Sequence, residues 1–211
     1  MGYSTLQFDD QRLAVCLDRP GVEIDLGGIG KGWAVDRAAA VLRRRGIQQA
    51  LVNAGTSSLY ALGSPLGQVG WEVAVLHPRE DDRFLAVTRL KDQSLSTSAG
   101  SETNFQIQDR SYSLIVDPRS GIPAVGLLSC TVLAPTATES DALSTATFVL
   151  GLDETEELVR RLGLAAMIVG TGRDLQDREG KRVVRRISPE GAGENTFWTI
   201  LDSETSEKGK H

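Results

Sequence analysis

A glycine-rich bend flanked by an acid and a lysine is the first stretch of this sequence with the residue types of an anion site. Within residues 23 to 36, EIDLGGIGKGWAVD, Asp25 precedes three closely spaced glycines and Lys31 begins a helical pattern. Glycine permits a tight bend and a close approach to a ligand. The N-terminus of a helix presents free N–H groups and a partial positive charge. The stretch predicts either an anion site strengthened by Lys31 or an ordinary strand-to-helix turn with a solvated lysine.

Two better-known glycine motifs do not fit this bend. A Walker loop requires a glycine five positions before Gly30, where Asp25 stands, and a hydroxyl residue after the lysine, where Gly32 stands. The dinucleotide fingerprint requires a further glycine at position 33, which is Trp33. The bend is therefore neither a P-loop nor a Rossmann motif.

An acid and a hydroxyl residue in a later helical segment form the second candidate. Residues 137–151 read ATESDALSTATFVLG, in which Asp141 and Thr145 are four positions apart and share a helix face. Hard cations prefer oxygen ligands, and this pair offers two of them. The alternative is a solvated face with the threonine bonded back to its own helix.

Composition narrows the class of protein. The chain has 211 residues, of which 40% are hydrophobic and 24% charged, as expected for one globular domain. A formal net charge of −5 argues against a nucleic-acid partner. No run approaches the roughly 18 apolar residues of a membrane span.

Cysteine and histidine are too scarce for a zinc cluster or a disulfide scaffold. Cys16 and Cys130 each lie in an apolar, strand-like run, so we expect both thiols to be buried. His77 precedes a proline at the end of a strand, and we expect it to be an exposed turn residue.

The remaining patterns predict the elements that position these candidates. Alternating apolar residues indicate a hairpin over residues 3–18, a strand over 22–26, and strands beginning near 49, 58, 71, 83, 112, 129 and 164. Helical periodicity indicates helices over 31–45, 137–150 and 153–162. Residues 94–100, SLSTSAG, concentrate hydroxyl groups ahead of another glycine. The polar tail, residues 202–211, is expected to be disordered.

Five motifs in this order resemble those of the ApbE-like flavin transferases, also called thiamine-biosynthesis lipoproteins. They are DLGGIGKGWAVD, LVNAGTSSLYALG, STSAG, YSLIVDPRSGIP and SDALSTATFVLG. Members of that family transfer FMN from FAD to a threonine hydroxyl of a target protein, with Mg²⁺ bound and AMP released. The resemblance implies an α+β fold, with antiparallel sheet and packed helices of the T-fold-like type, over residues 1–201.

The resemblance also implies roles for individual residues. It assigns contacts with FAD to Asp25 and Lys31, and a place in the flavin pocket to Ile115. An oxygen-ligated Mg²⁺ would offset the pyrophosphate charge. The metal ligands that it assigns are the Gly28 backbone oxygen and the Asp141 and Thr145 side chains.

Two departures from the family pattern leave other functions open. The family has His-Ile-Ile-Asp-Pro where this chain has Leu114-Ile115-Val116-Asp117-Pro118, so the histidine is replaced by Leu114. Loss of a general acid–base group costs roughly 10²- to 10⁴-fold in rate. The chain is also shorter than family members at the N-terminus. The alternatives are a flavin-binding or structural relative without transferase activity, or an enzyme that hydrolyses the FAD pyrophosphate.

The resemblance extends to partner and location. It implies an acceptor protein that carries the flavinylated threonine. It also implies residence at the periplasmic face of the bacterial inner membrane, with any tether supplied by a segment before Met1.

Overall fold

The computed structural model describes residues 5–55, 57–100, 104–107, 110–170, 183–192, 196–201 and 206–207. Its helices are α1 (Gly30–Arg44), α2 (Ala137–Leu150) and α3 (Leu152–Arg161). Its strands are β1 (Leu6–Asp9), β2 (Ala14–Leu17), β3 (Ala50–Ala54), β4 (Ser58–Leu62), β5 (Trp71–His77), β6 (Glu80–Leu90), β7 (Gln93–Ala99), β8 (Asn104–Ile107), β9 (Arg110–Ser113), β10 (Val116–Asp117), β11 (Ile122–Pro123), β12 (Leu127–Ala134), β13 (Ala165–Gly170), β14 (Val183–Ile187), β15 (Thr199–Ile200) and β16 (Ser206–Glu207).

A seven-stranded sheet is the centre of the fold. Its strand order is β16-β14-β13-β12-β7-β4-β3, and all neighbours are antiparallel except β14 and β16. A three-stranded sheet, β15-β6-β5, is separate from it, and β1 and β2 form a two-stranded sheet. The expected α+β class, with antiparallel sheet and packed helices, is confirmed.

Apolar clusters form on both faces of the large sheet. Leu95, Leu133 and Met167 pack with Leu85 and Trp198 of the smaller sheet's strands and flanks. A second cluster joins the large sheet to α2 and α3, and a third joins α1 to β3 and β4. The helices therefore lie against the sheet, and the N-terminal ends of α1 and α2 lie close to each other, where Asp36 of α1 accepts hydrogen bonds from the Ala137 and Thr138 N–H groups.

Local sequence signals explain where α2 and α3 begin and end. Thr136 accepts a hydrogen bond from the backbone N–H of Glu139, whose carboxylate accepts one from the Thr136 N–H, forming a capping box. In α3 the acids occupy the first turn and Arg160 and Arg161 the last, as the helix dipole favours.

Two predicted elements differ in the structure. Residues 22–26 form no strand, and the side chains of Ile24 and Leu26 are 50% and 62% exposed. Alternation of apolar residues did not suffice to predict a strand here, because no strand among the described residues pairs with this segment. Ser206–Glu207, within the tail expected to be disordered, pairs with β14, whereas residues 202–205 and 208–211 lie outside the described residues.

Two predicted burials were also wrong. Cys16 is exposed because the β1–β2 hairpin stands apart from both larger sheets. His77 is buried rather than exposed, because the alternation along β5 places it on the inward face with Val73 and Val75. Cys130 is buried as expected, and its burial raises the pKa of its thiol to about 12.

The longest described helix, α1, has 15 residues. In the described part of the chain, no helix combines the length and apolar character that crossing a membrane requires.

Candidate functional site

The glycine bend leads directly into α1. The Asp25 carboxylate accepts a hydrogen bond from the backbone N–H of Gly27, at 2.6 Å, and so closes the first part of the bend. The Leu26 carbonyl accepts from the N–H groups of Ile29 and Gly30, at 3.1 and 2.7 Å. The backbone at the bend is thus fixed by its own hydrogen bonds, just before α1 begins.

The bend packs against the helix that carries the second candidate. A Cβ atom placed on Gly28 would lie 3.3 Å from Thr145 Cγ2 and 3.5 Å from Thr145 Oγ1. These residues are far apart in the sequence, yet they are in van der Waals range. The predicted meeting of the bend with the later helix is therefore present in the structure.

A close crossing of α1 and α2 produces this contact. A Cβ on Gly32 would overlap the Ala137 carbonyl oxygen and lie 2.6 Å from Asp141 Cβ, so only glycine allows this approach. The Gly32 N–H donates to Asp141 Oδ2 at 2.8 Å. Asp141 thereby accepts one of the free N–H groups at the α1 N-terminus.

The Asp141 carboxylate is buried, and its hydrogen-bond donors in the described part of the chain are uncharged. Its residue is 3% exposed, and Oδ1 accepts a hydrogen bond from the Ser58 hydroxyl at 3.1 Å. Among the described residues, no lysine, arginine or histidine forms an ion pair with it. Two of the roughly four lone-pair positions of a carboxylate are used, so the group can accept further ligands. A buried anion in this state favours a bound cation.

Thr145 supplies a second oxygen one helical turn away. Its hydroxyl donates to the Asp141 backbone carbonyl at 3.3 Å and lies 3.0 Å from Ser98 Oγ. A hydroxyl with its proton committed to a carbonyl keeps lone pairs for other partners. The candidate donor set consists of oxygen atoms alone, which suits Mg²⁺. Its members are the Asp141 carboxylate, the Thr145 hydroxyl and the backbone carbonyl of Gly28, the residue that packs against Thr145. The residues present therefore fit the metal that the resemblance implies.

The residues expected to contact FAD occupy different surroundings. Asp25 and Lys31 are exposed at the bend and in the first turn of α1. Ile115 is half-buried and packs against the cluster between the large sheet and helices α2 and α3. Leu114, at the position of the family histidine, is 59% exposed. Their roles toward FAD stay predictions.

Four residues that matter to this geometry were not recognised from the sequence. They are Gly32, Ser58, Ser98 and Asp36, whose carboxylate accepts hydrogen bonds from the Ala137 and Thr138 N–H groups at the start of α2. For Ser98 a signal existed, because Ser94, Ser96 and Ser98 alternate along β7 and so share one face of the strand. That face lies against α2: Ser94 and Ser96 contact Ser140, and Ser98 contacts Ser144 and Thr145.

Comparisons with known proteins agree with the motifs. The model of the ApbE family matches residues 1–168. A protein named FAD:protein FMN transferase, from Escherichia coli strain K12, is 34% identical over 154 residues, covering 72% of this chain and 44% of that protein. The chain thus spans about half the length of the curated relatives it matches.

Solved structures show the same fold. The ApbE protein of Thermotoga maritima has a TM-score of 0.74 at 36% identity, covering 80% of this chain and 55% of that one. The apo flavinyl transferase ApbE of Pseudomonas stutzeri has a TM-score of 0.70 at 30% identity, covering 91% and 58%. With the family match extending over most of its length, this chain belongs to the ApbE family.

Proposed function

We propose that this chain takes part in Mg²⁺-dependent transfer of FMN from FAD to a threonine hydroxyl of an acceptor protein. In this reaction the threonine oxygen forms a bond to the phosphorus of the FMN half, and the bond from that phosphorus to AMP breaks. The hydroxyl proton leaves to solvent or to the released AMP phosphate. The names of the relatives support flavin transfer to a protein.

One observation carries the proposal. The glycine bend at Gly28 lies against Thr145, one helical turn from the buried Asp141 carboxylate, whose donors among the described residues are the uncharged Gly32 N–H and Ser58 hydroxyl. Gly28, Asp141 and Thr145 would hold the magnesium ion. A bound Mg²⁺ would neutralise pyrophosphate charge and polarise the reacting phosphorus.

The chain's own residues would hold FAD beside that site. Lys31 lies exposed in the first turn of α1, where a lysine and the positive end of the helix dipole both favour phosphate. Asp25 is exposed at the start of the bend, within reach of a ligand that lies over it. Ile115 offers an apolar side chain for the flavin ring.

The test is transfer to an acceptor, followed by intact-mass spectrometry. The protein is incubated with FAD, Mg²⁺ and an acceptor domain that is modified by an ApbE relative. One control reaction contains EDTA, and a second contains an acceptor whose target threonine is replaced by valine. We expect a mass gain equal to FMN less one water only with Mg²⁺ and the intact threonine. Unmodified acceptor throughout, with several acceptor domains, would reject transferase activity.

A second candidate is a flavin-binding relative without transfer chemistry, and Leu114 is the observation that favours it. Its exposed side chain stands where the family pattern has histidine, and leucine cannot exchange a proton. Transfer that appears only in Leu114→His would identify a chain that has lost this step. Measurable transfer by the natural chain, at the same rate as in Leu114→His, would reject the second candidate. FAD cleaved to FMN and AMP without an adduct would instead indicate pyrophosphate hydrolysis.

Residence at the periplasmic face of the bacterial inner membrane is also part of the proposal, and it rests on the family alone. Fractionation of cells expressing the natural gene tests it. Recovery of the protein solely in the cytoplasmic fraction would contradict this location.

A further inference from the structure

Two serines contact the proposed metal ligands without being ligand candidates themselves. Ser58, on β4, is 1% exposed and donates its hydroxyl proton to Asp141 Oδ1 at 3.1 Å. Ser98, on β7, lies 3.0 Å from Thr145 Oγ1 and 2.9 Å from Ser144 Oγ. Each serine thus touches a different proposed ligand, and each comes from a strand of the large sheet rather than from the helix.

Hydrogen-bond direction is fixed at Ser58. An ionised carboxylate only accepts, so the Ser58 proton points to Asp141 and the Ser58 oxygen is left to accept. It accepts from Ser96 at 3.1 Å, and Ser96 lies 2.7 Å from Ser140. All these hydroxyls are buried, where linked hydrogen bonds polarise one another. The row of serines therefore ends on the carboxylate and holds it in one orientation.

Ser98 constrains Thr145 in a similar way. The protons of Ser144 and Thr145 both point to the Asp141 backbone carbonyl, at 3.0 and 3.3 Å. The Ser98 proton is then available to one of their two oxygens. With its own proton committed, Thr145 accepts at most one bond from Ser98 and keeps a lone pair for a metal.

We propose that Ser58 and Ser98 are positioning residues that orient the Asp141 carboxylate and the Thr145 hydroxyl for Mg²⁺. The inference rests on the proposed metal site and deepens it. Removal of a partner that orients a metal ligand commonly lowers the affinity for the metal roughly 10- to 100-fold. Ser58 and Ser98 join the large sheet to the site, so the sheet as well as the helix sets the ligand geometry.

The test measures metal binding directly. Mn²⁺, which shares the oxygen preference of Mg²⁺, is titrated into the full chain, and free Mn²⁺ is followed by electron paramagnetic resonance. We expect Ser58→Ala and Ser98→Ala each to raise the Mn²⁺ dissociation constant roughly 10-fold. Ser98→Thr, which keeps the hydroxyl, is expected to restore most of the affinity.

Thr131→Val is the matched control. Thr131, on the neighbouring strand β12, is 1% exposed, and its hydroxyl lies 2.9 Å from Thr97 Oγ1, outside the row of serines and away from the proposed ligands. Thermal unfolding of each variant, followed by circular dichroism, measures the cost of losing a buried hydroxyl. We expect Thr131→Val to lower the melting temperature as Ser58→Ala does, but to leave the dissociation constant unchanged.

Each outcome decides between the proposals. Wild-type affinity in Ser58→Ala and Ser98→Ala, or equal losses in these two variants and in Thr131→Val, would overturn the positioning role and leave the metal site standing. A Ser98→Thr variant as weak as Ser98→Ala would overturn the role of Ser98. Absence of Mn²⁺ binding by the wild-type chain would overturn the metal site and this inference together.

Discussion

The crossing of α1 and α2 has two ends, and a carboxylate lies at each. Asp36 of α1 accepts hydrogen bonds from the N–H groups of Ala137 and Thr138 at the start of α2, both at 2.8 Å, and from the Thr138 hydroxyl. Asp141 of α2 accepts from the Gly32 N–H at the start of α1. Each helix therefore supplies an acid to the N-terminus of the other.

The two ends differ in what else surrounds the acid. At Asp36, three donors from one helix end use both oxygens, and the residue is half-buried. At Asp141, the residue is buried, the donors come from a helix and a strand, and Thr145 and the Gly28 bend lie alongside. Capping thus occupies both oxygens of the Asp36 carboxylate, whereas the Asp141 carboxylate caps α1 and still has lone pairs that could bind a cation.

The largest expected effect is the loss of metal binding in Asp141→Asn. The amide oxygen still accepts from the Gly32 N–H, but the negative charge that attracts a cation is gone. We expect the Mn²⁺ dissociation constant to rise by more than the roughly 10- to 100-fold associated with loss of an outer partner. Titration calorimetry measures it, with Asp153→Asn as a control for net charge at an exposed acid on α3. Equal affinity in Asp141→Asn and wild type would remove the distinction between the two ends.

Much of this arrangement was predictable from local sequence. The four-residue spacing of Asp141 and Thr145 indicates a shared helix face, and the glycines before Lys31 indicate a bend that begins a helix. The five motifs identified the family, which links these separated segments. Periodicity of 3.6 residues also placed all three helices close to their observed ranges.

What was missed depends on contacts between distant segments. Gly32 belongs to a helix pattern, and only the position of Ala137 shows why no side chain fits there. The burial of His77 and the exposure of Cys16 depend on which faces of their strands are covered. Single-sequence patterns carry no record of that coverage, because the same alternation fits a covered hairpin and an isolated one.

Gly32→Ala should have the next largest effect, a loss of stability, and it tests the close crossing of α1 and α2. The new Cβ meets the backbone of Ala137, which cannot rotate away, so the helices must separate. We expect about 3 kcal/mol of lost stability, at the upper end of typical overpacking costs. Urea unfolding measures the change in free energy of unfolding.

Gly28→Ala is the matched substitution on the other side of the site. Its Cβ would lie 3.3 Å from a methyl group of Thr145 rather than against backbone, and Gly28 lies outside the left-handed region. We expect a cost below about 1 kcal/mol, because a small side-chain shift relieves the contact. If Gly28→Ala proves as destabilising as Gly32→Ala, the close crossing is not the special feature of Gly32.

Asp36→Ala should have a smaller effect than Gly32→Ala, and one restricted to stability. It removes the acceptor for the Ala137 and Thr138 N–H groups, whereas the capping box of Thr136 and Glu139 remains. Loss of a capping side chain typically costs about 1 kcal/mol. We expect that decrease in the free energy of unfolding, with the Mn²⁺ dissociation constant unchanged. A loss of affinity as large as in Asp141→Asn would mean that the two acids act as one unit.

The smallest expected effect concerns a third acid, Asp117, whose negative charge is balanced by an arginine side chain. Arg119 lies beside it at 3.0 Å, and hydrogen bonds from the arginine side chain and backbone hold the pKa of the Asp117 carboxyl below its usual value. Because the folded-state pKa is lowered, the stabilisation exists above the ordinary pKa and is lost as pH falls through the lowered one. Arg119 is exposed and Asp117 half-buried, so water reaches the pair and screens it, and its contribution to stability is small. We expect Arg119→Gln to move the Asp117 titration toward its ordinary pKa, as measured by carboxyl ¹³C chemical shifts, without changing Mn²⁺ affinity. An unchanged Asp117 titration would show that the arginine does not stabilise the carboxylate in solution. A higher Mn²⁺ dissociation constant in Arg119→Gln would show that the charge of Arg119 affects metal binding at Asp141.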